Sequence, residues 1–477
     1  MDGFLERAEE AADKIIDCSQ GTDLSLVSHW DADGVAAAAT LSLSLSAKNI
    51  SFKVKFVDSL TEEVIESMAK GGLPSVFIDI GSGSLDSIGG KLSGRTVVLD
   101  HHQPQGSGEG VLQLNPCLYG FDGGKDLSAS GTAFFVASSI NREPEQLPVL
   151  GIVGALADLQ DKNEMRELRG LNALVVNEGE ERGIVKVEED LIFFGRETRP
   201  LMRALAGTFS FQIPGVTGDE AGAFKLLDSL QIDMKEHDMS RTISDLKKEE
   251  KQRLTAGLLQ ILVDRGMQLP SDLPFVGKAY TFIREDKWSP TRDAREFSFL
   301  LNSLGRSNRF DLGMSLAMGY RGELLEQSIQ VSQEYTSSIQ TSIRSVLTVP
   351  GAITETEKLV IVRGEDLIDP NILSPVATIL STGTLFRPNK LFVAVALEDD
   401  VNVKVSSRAS YELATSGVNA GKIMELAAKA VGGQGGGHNV AAGATIPRRR
   451  VERFLERVGK LASEGITPNQ SEDRDST

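Results

Sequence analysis

Four of the chain's five histidines stand in short clusters with acids or glycines. The first is Ser28-His29-Trp30-Asp31-Ala32-Asp33-Gly34, the second Asp100-His101-His102, and the third a segment that reads as a Gly-rich loop, Gly432-Gly433-Gln434-Gly435-Gly436-Gly437-His438. Asp79 and Asp158 stand apart, each following an apolar run. Two divalent ions bridging a phosphodiester require several carboxylates, one of them preferably shared, with imidazoles completing the set, so that an activated water can attack in line. His29, Asp31, Asp33, Asp79, His101 and Asp158 supply those types.

Spacing adds a geometric argument. At a strand end, residues two apart can point the same way, which would let His29, Asp31 and Asp33 converge on neighbouring ions. Gly34 permits a sharp turn into a helix whose N-terminus favours anions. In Asp79-Ile80-Gly81-Ser82-Gly83 an isolated acid leaves an apolar strand into a flexible turn, as a bridging ligand requires.

The elements that must position these groups follow from periodicity. Leu24–Val27, Phe52–Val57, Ser75–Ile80 and Thr96–Leu99 read as strands, separated by helical patterns at Val35–Ala47, Thr61–Ala69 and Ser84–Leu92. This alternation predicts an α/β fold: a parallel, Rossmann-like sheet with helices on both faces and ligands beyond the carboxyl ends of its strands. Ala129–Ile140, Leu147–Leu159 and Leu171–Asn177 continue as helices, and the first domain is expected to span 1–205.

Residues 206–321 read as a middle or inserted domain. It contains a charged helix at Ser240–Arg265 and a link through Pro270 and Pro274. A connecting helix is expected over 322–346, then a smaller C-terminal α/β domain over 347–462. In that domain Leu359–Val362, Phe392–Leu397 and Val401–Val405 read as strands, and Pro370–Leu380 and Asn419–Ala430 as helices. The polar tail 463–477 reads as disordered.

Composition bounds the rest. A chain of 477 residues, 40% hydrophobic, exceeds one ordinary core. Two cysteines give neither a disulfide framework nor a CxxC zinc site, so any metal should be held by oxygen and imidazole. The first residues carry no basic segment followed by an apolar core, and no run reaches the ~20 apolar residues of a membrane span, so a soluble cytoplasmic protein with no membrane partner is expected. A formal charge of −17 weighs against nucleic acid as partner without excluding it, because bound ions reverse the local field.

In its motifs the chain resembles the DHH phosphoesterase family, named for the triplet Asp100-His101-His102, and within it the RecJ-like single-strand exonucleases, particularly the archaeal ones. The resemblance rests on His29-x-Asp31-x-Asp33-Gly34, Asp79, the triplet, Ala155-Leu156-Ala157-Asp158, Gly195-Arg196-Glu197-Thr198-Arg199-Pro200 and Gly435-Gly436-Gly437-His438. It implies His29, Asp31 and Asp79 as ligands of one ion, and Asp33, Asp79, His101 and Asp158 as ligands of a second, with Mn2+ favoured and Mg2+ as the other candidate. His102 would face the scissile phosphate, and Asp100 would orient an imidazole. Gly435, Gly436, Gly437, His438 and Arg408 would bind substrate phosphate on a DHH-associated domain, across a cleft from the first. The implied partners are single-stranded DNA or RNA and a GINS or replicative-helicase complex. A phosphoesterase of oligoribonucleotides, cyclic dinucleotides or nucleotide bisphosphates, and a replication scaffold, stand as alternatives; the extra segment 206–321 argues against the first and the complete acid and histidine set against the second.

Other candidates carry bland readings. His237 reads as surface, Asp161 as solvated, and Gly123-Gly124-Lys125 as a turn lacking the Walker spacing. Arg448-Arg449-Arg450 suits either nucleic acid or a solvated helix face. Lys278–Arg309 interleaves Tyr280, Phe282 and Trp288 with basic residues, which suits either single-strand binding or a packed core.

Overall fold

The computed structural model describes residues 1–208, 211, 213–265, 273–382 and 389–464. They form two compact units, one built from Met1–Thr208 and Ile213–Ser332, the other mainly from the chain after Ser332.

The first unit opens with α1 (Asp2–Cys18), β1 (Leu24–His29), α2 (Ala32–Ala47), β2 (Phe52–Val57), α3 (Glu62–Gly71), β3 (Ser75–Ile78), α4 (Leu85–Leu92), β4 (Thr96–Leu99) and β5 (Leu112–Leu114). The five strands are parallel, in the order β2-β1-β3-β4-β5. Period-two alternation splits their side chains between two cores. Leu24, Leu26, Val76, Ile78, Val97 and Leu99 pack with Phe4, Ala8, Ala37 and Leu41 on one face. On the other, Val27, Phe77 and Val98 meet Ile65, Leu85 and Ile88. Each such fully buried aliphatic or aromatic side chain is worth about 1.5–3 kcal/mol, so both faces hold the sheet in register. The chain reverses its winding between β1 and β3, and the crevice beyond the carboxyl ends at such a switch is where doubly wound sheets bind ligands.

Boundaries differ from the periodicity where side chains intervene. Helix α2 starts at Ala32 rather than Val35 because the Asp31 carboxylate caps it, accepting from Gly34 N–H at 2.9 Å. Strand β3 stops at Ile78 rather than Ile80 because Asp79 turns to φ 59°. Neither α1 nor β5 was among the expected elements.

The unit continues through α5 (Ala129–Ile140), α6 (Gln146–Ala157), α7 (Asn172–Glu181), β6 (Val185–Leu191), α8 (Leu201–Ala206) and α9 (Glu220–Ser229). Two short strands, β7 (Lys235–Glu236) and β8 (Met239–Ser240), precede α10 (Lys248–Asp264), β9 (Val276–Phe282), α11 (Ala294–Arg306) and α12 (Phe310–Ala317). The helix expected from Ser240 begins only at Lys248, because Thr242 and Asp245 close a short 3-10 turn and Leu246 is extended. Residues 276–321 pack against earlier elements of the same unit: β9 pairs antiparallel with β6, Val185 opposite Phe282, and Phe297, Leu300 and Leu304 of α11 share a core with α2 and α6. Pro270 lies outside the described residues.

Helix α13 (Glu323–Thr348) leads into the second unit. There β10 (Ile353–Glu355), β11 (Leu359–Arg363), α14 (Leu373–Thr382), β12 (Leu391–Leu397), β13 (Asn402–Arg408), α15 (Tyr411–Thr415), α16 (Ala420–Lys429), β14 (Gln434–Gly437), β15 (Ala441–Pro447) and α17 (Val451–Glu464) follow in turn. The six-stranded sheet runs β10-β11-β12-β13-β15-β14, antiparallel except between β11 and β12. Val393, Val395, Val403, Val405 and Ile446 pack with Ile423, Met424, Phe454 and Val458. Ser463 and Glu464, expected in the tail, end α17, whose last turn is held by buried Leu461 and Ala462; 465–477 lie outside the described residues. Among the described residues no helix is long and apolar enough to cross a membrane.

Candidate metal centre

The loops after β1, β3 and β4 and the end of α6 bring His29, Asp31, Asp33, Asp79, His101 and Asp158 together. His29 closes β1, and its Nδ1 lies 3.0 Å from Asp31 Oδ2 and 3.6 Å from Asp79 Oδ2. His101 Nε2 stands 3.3 Å from Asp79 Oδ1, 3.4 Å from Asp158 Oδ2 and 4.0 Å from Asp33 Oδ2. Asp79 therefore turns one carboxylate oxygen to each histidine. Gly34 is required for this turn: a Cβ there would lie 2.2 Å from His29 O.

Asp79 is the least comfortable residue of the set. Its backbone is left-handed, a conformation aspartate tolerates better than most side chains. Its N–H donates to Leu99 O at 2.9 Å, and the side chain is buried. Among the described residues Oδ1 makes no hydrogen bond, and His101 Nε2 stands 3.3 Å from it. A buried carboxylate oxygen left unsatisfied is costly unless a cation fills the gap.

The donor set fits divalent ions. Ligand atoms about 2.1 Å from an octahedral ion stand about 3.0 Å apart when adjacent and about 4.2 Å when opposite, the range spanned by the distances above. His29, Asp31 and Asp79 form one group whose ligand atoms lie within 4.8 Å of one another, and Asp33, His101 and Asp158 form another. Imidazole and carboxylate suit Mn2+ and, through the oxygens, Mg2+.

Charge is strongly frustrated without cations. Burial pushes Asp33 up to about 7, reinforced by Asp79 and Asp158. Burial likewise raises Asp158. For His29, burial works downward, but the Asp31 and Asp79 carboxylates outweigh it and hold the ring at about 10. Asp31 is held at about 2, burial being overcome by its bond with His29. His101 is buried, which disfavours its cation, yet Asp79, Asp158 and Asp33 raise it well above its ordinary value.

Asp100, whose carboxylate lies within 4.8 Å of ligand atoms of Asp79, His101 and His102, organises the triplet. It accepts from Ser82 N–H at 2.9 Å, from His101 N–H at 2.8 Å and from His102 Nδ1 at 2.8 Å. These bonds overcome its burial and depress its pKa. The His102 ring is 61% exposed, and its bond to Asp100 is made through Nδ1 rather than Nε2. The same bond raises its pKa.

Several supports carried no recognisable signal in the sequence. Ala129 and Ser130, at the N-terminus of α5, donate backbone N–H groups to Asp33 at 2.8 and 3.0 Å. Gly154 makes room for that contact, since a Cβ would come within 2.1 Å of Asp33 Oδ1. The Gly123 carbonyl accepts from His101 Nδ1 at 2.7 Å. Ser128 as cap of α5 was the one visible cue, being a serine directly before a helical pattern.

Asp161, expected in solvent, is buried beside Arg295, which reaches its Oδ2 at 2.5 Å. The Lys278–Arg309 stretch is no free basic surface either: Tyr280 and Phe282 are core residues. Arg284, Lys287, Arg292, Arg295 and Arg309 pair with Glu145, Asp245, Glu197, Asp161 and Asp311. Arg306 stacks on Trp30, 4.6 Å from the ring centroid. Trp288 is exposed, and His237 is at the surface as expected. Arg196 of the Gly195–Pro200 segment is buried against Asp190, Glu197 and Glu188.

Arg408 and Gly435–His438 belong to the second unit. Arg408 ends β13, its guanidinium held by Thr378 Oγ1 at 3.0 Å and Ser374 Oγ at 2.7 Å. The glycines are an edge strand rather than a loop, because Gly435 pairs with Ala444 and Gly437 with Ala442. His438 follows in the exposed turn, its N–H donating to Ala441 O.

Comparison with known proteins fits this geometry. Residues 193–271 match the DHH-CID domain and 357–464 the DHHA1 domain. An uncharacterised protein of Methanocaldococcus jannaschii is 28% identical over 458 residues, covering 93% of this chain and 94% of that one. RecJ from Thermus thermophilus, solved in complex with Mn2+, shares the fold with TM-score 0.58 and 16% identity over 97% of this chain; the chain spans 56% of that RecJ. The same RecJ has been solved with Mg2+ (TM-score 0.51, 15% identity, 97% and 53% covered). CDC45 from Entamoeba histolytica matches with TM-score 0.64 and 12% identity over 97% of this chain and 99% of its own. Two stretches of the chain thus match DHH-type domain models, and its fold is similar to those of RecJ and CDC45.

Proposed function

We propose that the protein is a phosphodiesterase acting as a single-strand-specific exonuclease, 5′-to-3′ on DNA, releasing nucleoside 5′-monophosphates. The observation that carries this reading is the buried Asp79, whose two carboxylate oxygens face His29 and His101 separately. His29, Asp31 and Asp79 would hold one divalent ion, and Asp33, Asp79, His101 and Asp158 a second, Mn2+ before Mg2+. Ions bound there would supply Lewis acidity, polarising the phosphodiester and activating a water.

The chain's own groups supply the rest. Water oxygen bonds to phosphorus as the P–O3′ bond breaks, and the departing O3′ takes a proton. His102, exposed and oriented by Asp100, stands as the electrostatic or acid group beside the phosphate. Arg408, His438 and the amides of Gly435–Gly437 would bind phosphate on the second unit.

The full-length likeness to CDC45 favours one second reading, a replication-complex subunit partnered with GINS or a helicase, which co-purification would test. The complete ligand set makes a role as scaffold alone the weaker reading.

End-labelled DNA and RNA strands incubated with Mn2+ test the proposal. Mononucleotides released from single strands, and abolished in Asp79→Asn, are expected; strands left intact by wild type, or cut equally by Asp79→Asn, would overturn it.

A further inference from the structure

Arg448, Arg449 and Arg450 form one exposed 3-10 turn after β15. They lead into α17, whose Val451, Phe454, Leu455, Val458 and Leu461 are buried. At 3.6 residues per turn, Arg453, Arg457 and Lys460 share one flank of that helix while Glu452 and Glu456 share the other. Glu452 is taken by Arg363 at 2.7 Å. The turn beside Arg448 carries Asp399, which accepts from Val401 and Asn402 N–H, and Asp400. Among the described residues no carboxylate pairs with Arg449, Arg450, Arg453 or Arg457, although most arginines of 284–309 are paired. A contiguous unpaired basic strip on a chain of net charge −17 is a local field built against the global one.

We infer that this strip is a second contact for the sugar-phosphate backbone of a nucleic-acid strand whose phosphate is held at His438. The inference rests on the nucleic-acid reading above and adds a length requirement to it. Strand β15 connects the two places, with Ala441 accepting from His438 N–H at one end and Arg448 following Pro447 at the other. Seven residues at about 3.4 Å each span about 24 Å, or about seven nucleotides at the stacked rise of about 3.4 Å. A dinucleotide, linear or cyclic, held at His438 is shorter than the β15 span to the Arg448 turn; a longer strand covers it.

The test compares wild type with the quadruple variant R449Q/R450Q/R453Q/R457Q, and with the corresponding four Lys substitutions as a charge-preserving control. Anisotropy with a labelled single strand of roughly twenty nucleotides, titrated at several salt concentrations, reads the electrostatic contacts, since each phosphate contact contributes about −0.7 to the slope of log K against log salt. The Gln variant should lose at least about tenfold in strand affinity at low salt and lower the slope magnitude by about 2–3. Dinucleotide turnover should be unchanged, and the Lys variant should recover most of the slope. Unchanged strand affinity and slope in the Gln variant would overturn the strip while leaving the exonuclease reading intact. Wild type that turns over dinucleotides but binds no strand would overturn both.

Discussion

Gln160 and His101 share one acceptor: the Gly123 carbonyl oxygen receives Gln160 Nε2 at 2.8 Å and His101 Nδ1 at 2.7 Å. Asn172 Nδ2 donates to Gln160 Oε1 at 2.6 Å, which fixes the orientation of the Gln160 amide. All three side chains are buried. With its Nδ1–H committed to the carbonyl, His101 offers Nε2 to Asp33, Asp79 and Asp158. Partners of this kind set both tautomer and ring direction.

Gln160→Leu keeps the volume and removes the support. Mn2+ affinity measured by titration calorimetry should fall about 10–100-fold, and the unpaired Asn172 should cost about 1–3 kcal/mol of stability. Unchanged Mn2+ affinity would show that Gly123 alone suffices.

Ion binding must displace protons. Without cations His29 stays charged up to about 10, His101 is raised well above its ordinary value, and Asp33 titrates near 7. Ligation needs neutral imidazole and ionised carboxylate, so Mn2+ affinity should climb as pH rises from about 6 to about 8, with protons released. Titrations in buffers of different ionisation enthalpy measure that release. Heats independent of buffer would contradict the assignment.

Loss of the shared carboxylate should uncouple ion from fold. In wild type, Mn2+ at about a hundred times its dissociation constant should stabilise by about 2.7 kcal/mol per site. Asp79→Asn should show little of this in a thermal melt with and without Mn2+; a full shift would remove Asp79 from the ligand set.

Glu296 offers a test away from the centre. Burial, then Asp293, raises its pKa to about 8, while its oxygens accept from Glu197 N–H and Thr198 Oγ1. Between about 4.5, the ordinary glutamate value, and about 8, the unfolded chain has released a proton that the folded one keeps, so wild-type stability falls as pH rises through this window. Glu296→Gln keeps the carbonyl acceptor for Glu197 N–H and turns its amide N–H to donate to Thr198 Oγ1, so it should flatten that fall, as urea unfolding at several pH values would show. A variant less stable than wild type near pH 8 would reverse the sign.

The parallel sheet of the first unit was legible because burial on two sides writes itself as apolar runs. Leu24–Val27, Phe52–Val57 and Thr96–Leu99 each became strands of the parallel sheet. The ligand candidates were legible because chemistry restricts their types, and all six converge. What supports them was not. Gln160 and Asn172 act through the Gly123 carbonyl, a contact made only by tertiary folding, and Ser130 reaches Asp33 by its backbone. Asp161 misled for the same reason, its partner Arg295 lying far along the chain. The glycines of 435–437 suggested a loop, whereas β15 supplies the pairing that makes them a strand.

Anomalous scattering from crystals grown with Mn2+ tests the central claim most directly. Two peaks should flank Asp79, one beside His29 and Asp31 and the other beside Asp33, His101 and Asp158. A single peak, or none touching Asp79, would contradict it.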